Sequence, residues 1–394
     1  MSDRRIFIST GEVSGDLQGA WLIDALFRQA AKAGIELEIL ALGGDRMAAA
    51  GAKLLGQTSG IGSVGLFESL PFVVPTWQIQ RRAQQELQRH PPDLIVLIDY
   101  MGPNLNIGSY ARRHLPQVPV VYYIAPQAWV WSISQRSTDR IVGIADLMLA
   151  IFTEEARYFE QRGASVQWVG HPLVDRLQAS PSREDARAAL GIDADTIAIA
   201  LFPASRRQEL RYLMPAMFEA AHAIQQQVRQ VRFWIPLSLP SFRDPIEAAI
   251  DRYGLRATVE CQRNREVLAG ADLAIAKSGT VNLELALLNV PQVVLYRVNP
   301  VTAWVARRLL GFAIPFMSPT NLVQMKSVVP ELLQEEATPE NIVQEVMALM
   351  PGTQRRSQML TDYQELKQGV GEVGVSDRAA AEILRLLSQT QSAD

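Results

Sequence analysis

Short apolar runs alternate with longer amphipathic segments along most of this 394-residue chain. The short runs, rich in Val, Ile and Leu, predict buried strands, and the longer segments between them predict helices. This alternation is typical of α/β proteins, in which helices cover both faces of a parallel sheet. We predict strands at Arg5–Ser9, Leu37–Leu42, Leu94–Ile98, Val120–Ile124, Leu147–Ile151, Val166–Val169, Ile197–Phe202, Val231–Ile235, Asp272–Ala276 and Gln292–Tyr296.

A change in composition near residues 171–185 divides this pattern into two halves. Ser180-Pro-Ser182 there is followed by the start of a capped helix, Arg183–Leu190, as at the end of a linker. The chain is also long for one domain. We therefore predict two Rossmann-like, doubly wound domains, 1–175 and 176–345, that face each other across a cleft.

Charge and rare residues exclude several classes of protein. The 38 basic residues nearly balance the 41 acidic ones, which removes the positive surface of a nucleic-acid binder. One Cys and four His residues predict neither a disulfide framework nor a metal centre, and they indicate a reducing compartment. We expect no secretory signal, and the longest uncharged stretch, 115–135, contains three prolines, so it cannot form a membrane-spanning helix of about 20 residues. The composition predicts a soluble or membrane-surface protein.

A glycine-rich loop follows the first strand. Gly11, Gly15 and Gly19 would let a ligand or a neighbouring strand approach the backbone closely. The spacing differs from that of dinucleotide-binding loops, and Glu12 and Asp16 would repel a pyrophosphate. The loop therefore suits hydroxyl or amine groups, such as those of a sugar. A tight strand-to-helix turn with Asp16 as a helix cap explains the same residues.

Two further strand ends of the first half carry candidate site residues. The apolar run Leu94–Ile98 ends in Asp99, at the carboxyl edge of the predicted sheet, where ligands bind in such folds. Partial burial there would raise its pKa and suit it to general base catalysis, although an Asp that caps the next helix fits equally well. The aromatic segment 122–131 includes Trp129 and Trp131, which could line a sugar or acyl-chain site or belong to the core.

In the second half, two strand ends suit a nucleotide diphosphate. Arg206 follows the strand Ile197–Phe202 and could clamp a diphosphate or form a surface ion pair. Ser278-Gly-Thr280 precedes a helix, whose amide groups and dipole favour an anion. Glu284 lies one turn beyond Thr280 and could accept hydrogen bonds from a ribose. A capped helix in which Glu284 pairs elsewhere remains the alternative.

Motifs spread over nearly the whole chain resemble one known family. The matching segments are Gly11-Glu-Val-Ser-Gly-Asp16, Gly65-Leu-Phe-Glu68, the strand that ends in Asp99, Ala125-Pro-Gln-Ala-Trp-Val-Trp131, Gly170-His171, Ser205-Arg206, Ser278-Gly-Thr280 with Glu284, Tyr296-Arg297 and Ser318-Pro-Thr-Asn321. In this order they resemble the lipid-A-disaccharide synthases, which are glycosyltransferases of the GT-B architecture.

The resemblance implies a reaction and a set of site residues. It implies that UDP-2,3-diacylglucosamine is joined to lipid X, with release of UDP and without a metal or cofactor. The implied catalytic residues are Asp99, as the base, with Glu12 and Asp16. The implied UDP-binding residues are Arg206, Ser278, Gly279, Thr280, Glu284, Tyr296 and Asn321. The implied acceptor and lipid residues are Ser14, Gly15, Glu68, Phe72, Trp129 and Trp131.

The resemblance also implies a location and a quaternary arrangement. Helices in 346–394 would return to the first domain, and a homodimer with exchanged C-terminal parts is known in the family. Apolar segments at 66–77 and 304–312 suit contact with the inner face of the cytoplasmic membrane, although a place in the buried core explains each of them equally well. Departures from the family pattern at 99–106, 203–206 and Lys277 keep two alternatives open. These are a related UDP-sugar transferase or epimerase with another acceptor, and a non-catalytic protein that binds a sugar nucleotide or lipid.

Overall fold

The computed structural model describes residues 3–11, 13–58, 73–130, 135–299 and 315–389. The chain forms two compact units. The first unit contains Met1–Asp175 together with Val370–Asp394, and the second contains Arg176–Gly369.

The first unit is built on a parallel sheet. Its elements are β1 (Asp3–Ser9), α1 (Val13–Ala33), β2 (Glu36–Gly43), α2 (Asp45–Ala49), β3 (Lys53–Gln57), α3 (Val73–Arg89), β4 (Leu94–Ile98), α4 (Met101–His114), β5 (Val120–Tyr123), α5 (Gln135–Ile144), β6 (Leu147–Ala150), α6 (Thr153–Glu160), β7 (Val166–Trp168) and α7 (Leu173–Leu177), which crosses into the second unit. The strand order is β3-β2-β1-β4-β5-β6-β7, and β4 is buried along its whole length. The chain order reverses between β1 and β4, so a crevice opens there beyond the carboxyl ends of the strands.

The second unit repeats this plan. Its elements are α8 (Arg183–Leu190), β8 (Ile197–Phe202), α9 (Arg207–Tyr212), α10 (Met214–Gln227), β9 (Val231–Pro236), α11 (Arg243–Tyr253), β10 (Ala257–Glu260), α12 (Asn264–Gly270), β11 (Leu273–Lys277), α13 (Thr280–Leu287), β12 (Gln292–Tyr296), α14 (Pro319–Gln324), β13 (Glu331–Leu333), α15 (Pro339–Ala348) and α16 (Gln354–Val370). The strand order is β10-β9-β8-β11-β12-β13. The reversal therefore falls between β8 and β11.

The last helix, α17 (Val375–Gln389), returns to the first unit and packs against α1. The Asp175 carboxylate accepts hydrogen bonds from the amides of Gly374, Val375 and Ser376 at 2.6, 3.1 and 2.8 Å. A carboxylate at this position satisfies amides that a helix start leaves without partners, and it also complements the helix dipole. The amide of His171 donates to the Val370 carbonyl oxygen at 2.8 Å, so residues 171–175 anchor the returning segment.

The second boundary lies further along the chain than the predicted 345/346. Helices α15 and α16 belong to the second unit, and Val370 is the first residue of the returning segment. On α16, the fully buried Tyr363 hydroxyl accepts a hydrogen bond from Gln292 and donates one to the Val290 carbonyl oxygen, both at 3.3 Å. A helical sequence pattern predicts that α16 is a helix, but it does not say which sheet the helix covers.

The predicted strands are all present within two residues of their expected ends. The sequence pattern missed β3, β10 and β13, which are strands at the sheet edges. Their side chains are mostly exposed or half-buried. An edge strand does not need the continuous apolar run that identifies a buried one, so these strands carry little sequence signal.

Candidate active site

The turn after β4 places Asp99 at the reversal point of the first sheet in a strained backbone conformation. Asp99 and Tyr100 have φ angles of 47° and 45°, in the left-handed region that residues other than glycine rarely adopt. Such a residue costs on the order of 1–3 kcal/mol, and strained residues of this kind cluster at functional sites. The sequence located Asp99 at this edge, but it did not predict the strain.

Buried side chains from three elements hold this turn. Asn104, on α4, is completely buried, and its Nδ2 donates to the carbonyl oxygens of Ile98 and Asp99 at 2.9 and 2.7 Å. The Tyr122 hydroxyl on β5 also donates to the Asp99 carbonyl oxygen, at 3.0 Å. The Ser9 hydroxyl on β1 donates to Asn104 Oδ1 at 2.8 Å. Sequence reasoning missed Asn104 and Tyr122 as supports, although an Asn in the first turn after a strand-end Asp is a usable signal.

The glycines after β1 permit close packing inside the protein. A Cβ atom on Gly11 would lie 1.8 Å from the Tyr100 ring, and one on Gly15 would lie 1.9 Å from Thr10 Oγ1. Of the two explanations left open by the sequence, close approach by neighbouring protein therefore accounts for these glycines. Ser14 is exposed in the first turn of α1, where a ligand can reach it.

Asp16 caps a helix. Its side chain is buried, and Oδ1 accepts hydrogen bonds from the amides of Gly44 and Met47 at 2.8 and 3.1 Å. Oδ2 accepts one from the Arg46 amide at 3.3 Å. The carboxylate thus accepts hydrogen bonds at the start of α2, as in the helix-cap alternative, and its catalytic role stays a prediction of the family resemblance. Four further residues that the resemblance implies for this half lie outside the described residues. They are Glu12, Glu68, Phe72 and Trp131.

A cavity of about 300 Å³ opens beside Asp99. It is lined by Asp99, Ile124, Ala125, Gln127, Trp129, Ile151, Phe152 and Glu155. The Trp129 ring is half-buried and its centroid lies 5.8 Å from that of Phe152, so one face of the cavity is aromatic. A carboxylate beside an aromatic wall suits the binding and deprotonation of a sugar hydroxyl.

In the second unit, charged residues gather where β8 and β11 end. Arg206 is exposed, and its amide donates to Glu209 Oε2 at 3.1 Å. Lys277 Nζ lies 4.0 Å from Glu209 Oε1. Burial lowers the pKa of Lys277, the Glu209 charge raises it and the Arg206 charge lowers it further. The Arg206 charge thus acts on Lys277, which lies beside a single carboxylate, and such a net positive point favours an added anion.

Tyr296 lies close to these charges at the end of β12. Burial raises the pKa of its phenol group, the charge of Arg206 lowers it and that of Glu209 raises it. The phenol is therefore neutral near pH 7 and can donate a hydrogen bond. Arg206, whose charge acts on this phenol, is another of the residues that the resemblance implies for UDP.

The Ser278-Gly279-Thr280 loop is partly occupied by internal hydrogen bonds. The Ser278 hydroxyl donates to the Met317 carbonyl oxygen, and the Gly279 amide donates to Asn282 Oδ1, both at 2.7 Å. Thr280 is exposed as the first residue of α13. Of the expected anion-binding groups in this loop, Thr280 is the one best placed to meet a ligand.

Glu284 is buried on α13, one turn after Thr280. Its Oε1 lies 3.1 Å from Arg176 Nη1. Burial raises the pKa of this carboxyl group, and the charges of Arg176 and Arg265 lower it. The sequence left open that Glu284 pairs with another residue instead of a ribose. In the structure its Oε1 atom forms such a pair with Arg176.

Asn321 supports a loop from inside the second unit. The residue is 1% exposed, and its Nδ2 donates to Val329 O and Glu331 Oε1 at 3.0 and 2.7 Å. Its Oδ1 accepts the amides of Val328 and Val329, both at 2.8 Å. Both ends of the side chain are thus buried and occupied by internal hydrogen bonds, and contact between Asn321 and UDP stays a prediction of the family resemblance.

Among the described residues, no group of three or more His, Cys, Asp or Glu side chains is placed to hold a metal ion. None of the helices described is both long and apolar enough to cross a bilayer.

Two parallel sheets, each with a reversal point at which polar residues gather, define an α/β protein of the GT-B type. Solved structures share this fold. A putative UDP-N-acetylglucosamine 2-epimerase from Listeria monocytogenes superimposes with a TM-score of 0.66 at 15% identity, over 96% of this chain and 95% of the other. MurG from Acinetobacter baumannii superimposes with a TM-score of 0.58, also at 15% identity, over 98% and 100%.

Sequence relatives identify the family. The family profile described as lipid-A-disaccharide synthetase matches residues 6–383. The lipid-A-disaccharide synthase of Gloeothece citriformis is 60% identical over 96% of this chain and 99% of its own length. That of Geobacter sulfurreducens is 34% identical over 98% of both chains. The chain belongs to the lipid-A-disaccharide synthase family and is a glycosyltransferase.

Proposed function

We propose that this enzyme joins UDP-2,3-diacylglucosamine to 2,3-diacylglucosamine 1-phosphate, called lipid X, and releases UDP. The observation that carries the proposal is Asp99, held in a strained turn at the reversal point of its sheet, beside a cavity that lies beyond the ends of β4, β5 and β6. The cations Arg206 and Lys277 at the corresponding point of the second sheet support it. The names of the sequence relatives agree with it.

In the proposed reaction, Asp99 accepts the proton of the acceptor 6-hydroxyl. The hydroxyl oxygen forms a bond to C1 of the donor sugar while the bond from C1 to the diphosphate oxygen breaks. The electron pair of that bond leaves with UDP, and the charge of Arg206 and the start of α13 stabilise it. We propose that Thr280 and Tyr296 donate hydrogen bonds to the nucleotide, and that Ser278, Gly279 and Asn321 support the loops around it.

The substitution Asp99→Asn tests this assignment. A general base contributes about 10²–10⁴-fold to the rate, so we expect at least a hundredfold loss of kcat, measured as UDP release with lipid X. The affinity for UDP, measured by calorimetry, should stay unchanged because Asp99 lies in the other unit. Asp24→Asn, an exposed carboxylate on α1, is the control. Undiminished turnover by the Asp99 variant would refute the assigned role.

Epimerisation of a UDP-sugar is the second candidate, because UDP-N-acetylglucosamine 2-epimerases share the fold. Product analysis separates the two. A disaccharide formed from UDP-diacylglucosamine and lipid X supports transfer, whereas a changed configuration of UDP-N-acetylglucosamine without UDP release supports epimerisation. The absence of both products would favour the non-catalytic alternative.

We further propose that the start of α3 contacts the inner face of the cytoplasmic membrane. Val74 and Trp77 are 61% and 58% exposed, and the Arg81 guanidinium lies 5.3 Å from the centroid of the Trp77 ring. Exposed apolar side chains beside a cation suit an anionic lipid surface. Trp77→Ser should weaken sedimentation with phosphatidylglycerol vesicles, whereas Leu239→Ser, which changes an exposed Leu of the other unit, should not. Equal binding by both variants would contradict this placement.

The family resemblance also predicts a homodimer. Sedimentation equilibrium of the full chain at micromolar concentration measures its mass directly, and a monomer mass would contradict the expectation.

A further inference from the structure

The cavity beside Asp99 contains a second carboxyl group that the proposed reaction does not use. Glu155, on α6, is 1% exposed. Its Oε1 accepts the amide of Ala125 at 3.0 Å, and its Oε2 accepts the amides of Ile151 and Phe152 at 2.8 and 3.2 Å. One side chain thus satisfies three buried backbone donors, which would each be costly to leave without a partner.

These three amides belong to two different walls of the cavity. Ala125 follows β5, whereas Ile151 and Phe152 follow β6, the neighbouring strand. The Glu155 carboxylate therefore ties together two adjacent strand ends, and both of them line the cavity.

Ile124 connects these hydrogen bonds of Glu155 to the backbone of Asp99. Ile124, directly before Ala125, has a φ of 59°, which is a strained conformation for a β-branched residue. Its carbonyl oxygen accepts the Asp99 amide at 3.0 Å. A strained residue persists only where its surroundings fix it, and the bond from Ala125 to Glu155 is part of that fixation.

We propose that Glu155 is a positioning residue for the reaction at Asp99, because its carboxylate fixes the loops after β5 and β6 and, through Ile124, the Asp99 backbone. The part of this inference that concerns turnover rests on the proposed function. The part that concerns the two loops does not depend on it.

Charge gives the role a pH dependence. Burial raises the pKa of Glu155 to about 7, the three amides oppose this and the charge of Asp99 adds to it. Titratable groups near it among the described residues include Tyr123, whose pKa is raised by burial and by the charges of Asp175 and Glu155, and His171, whose ring lies 5.3 Å from that of Phe152. Burial lowers the pKa of His171 to about 3, so this ring is neutral near pH 7.

The direction of the pH effect follows from the raised pKa of Glu155. Burial outweighs the three amide hydrogen bonds, so the carboxyl group binds its proton more tightly when the two loops are closed than when it is exposed to water. The loops should therefore be most stable below the ordinary pKa of Glu and should loosen as the pH rises through about 7, where the buried group ionises. Loss of one of the three hydrogen bonds by substitution corresponds to about a tenfold effect.

The test compares Glu155→Gln with the wild-type enzyme. The Gln side chain keeps the size of Glu, but its NH₂ group must face one of the amides. Glu154→Gln is the matched control, because Glu154 precedes it on the same helix and pairs with Arg157 near the surface. Far-UV circular dichroism and thermal unfolding establish that each variant is folded. If Glu155→Gln does not fold, Glu155→Asp, which keeps the charge but withdraws it by one methylene, takes its place.

The first measurement is amide hydrogen exchange of residues 124–127 and 150–153 without substrate. We expect the exchange rate of these amides to be at least tenfold higher in the Glu155 variant than in the wild type. The exchange rate in the control should equal that of the wild type. Unchanged exchange would overturn the proposal, whether or not the enzyme turns over lipid X.

The second measurement is the pH profile of kcat/KM for lipid X between pH 5.5 and 8.5. We expect a step in this profile near pH 7 for the wild type and no such step for Glu155→Gln. The KM of Glu155→Gln for lipid X should be about tenfold higher than that of the wild type, and its KM for the donor should be unchanged. A step that persists in Glu155→Gln, or an equal loss in both KM values, would overturn the positioning role. If the wild-type enzyme turns over none of the UDP-sugars, the proposed function is refuted. The exchange measurement would then still decide the role of Glu155 in the loops.

Discussion

Replacing Asn104 by Ala should damage both the stability and the activity of the first unit. The substitution removes three buried hydrogen bonds, to Ser9 Oγ and to the carbonyl oxygens of Ile98 and Asp99. At about 1 kcal/mol for each bond, the free energy of unfolding should fall by roughly 3 kcal/mol. For a unit of this size that corresponds to a decrease of roughly 6–12 °C in Tm. Differential scanning calorimetry measures the shift.

The effect on activity should exceed what the lost stability explains. At temperatures where the variant is folded, the Asp99 turn keeps its strain but loses two bonds to its backbone. A displacement of about 1 Å at a catalytic group can cost about a hundredfold in rate, so we expect a loss of that order in UDP release.

Asn106→Ala provides the control on the same helix. Asn106 is exposed, and its contact with Gln80 is long, at 3.4 Å, so its stability should change by less than about 0.5 kcal/mol. A Tm of Asn104→Ala within about 2 °C of the control would refute the energetic reasoning. Full activity of a folded Asn104→Ala would refute the view that Asn104 holds Asp99 in place.

Three further predictions follow from the described contacts. Asp175→Ala should remove the acceptor of three amides at the start of α17 and lower the free energy of unfolding by about 2 kcal/mol. Limited proteolysis should then cut the C-terminal helix faster than in the wild type, and an unchanged rate of proteolysis would contradict this. Gly15→Ala should cost about 1–3 kcal/mol because the new Cβ would lie 1.9 Å from Thr10 Oγ1, and the double variant with Thr10→Ala should recover part of the lost Tm. Lys277→Met should weaken UDP binding about tenfold in calorimetry and leave uridine binding unchanged, since Lys277 lies beside Arg206; an equal loss for both ligands would exclude a role with the diphosphate.

The case of Asp16 shows what the sequence alone left undecided about the site. A carboxylate in a glycine-rich loop after a strand fits a sugar site and a helix cap equally well. The deciding fact is the position of α2, whose amides are supplied by residues 44–47, far from Asp16 in sequence. Asn321 is similar, because its partners at 328–331 become neighbours only when α14 and β13 fold together.

The sequence by itself determined the fold class, the buried strands and the placement of Asp99 and Arg206 at strand ends. These follow from local patterns, because a buried parallel strand must be continuously apolar and its carboxyl end must leave the sheet.

Only the tertiary structure decided how these groups are held. The left-handed turn at Asp99, the three amides on Glu155 and the sheet that α16 covers each depend on contacts between segments distant in sequence. Such contacts are chosen by the packing of the whole unit, since a buried polar group must find its partner wherever the fold brings one within reach.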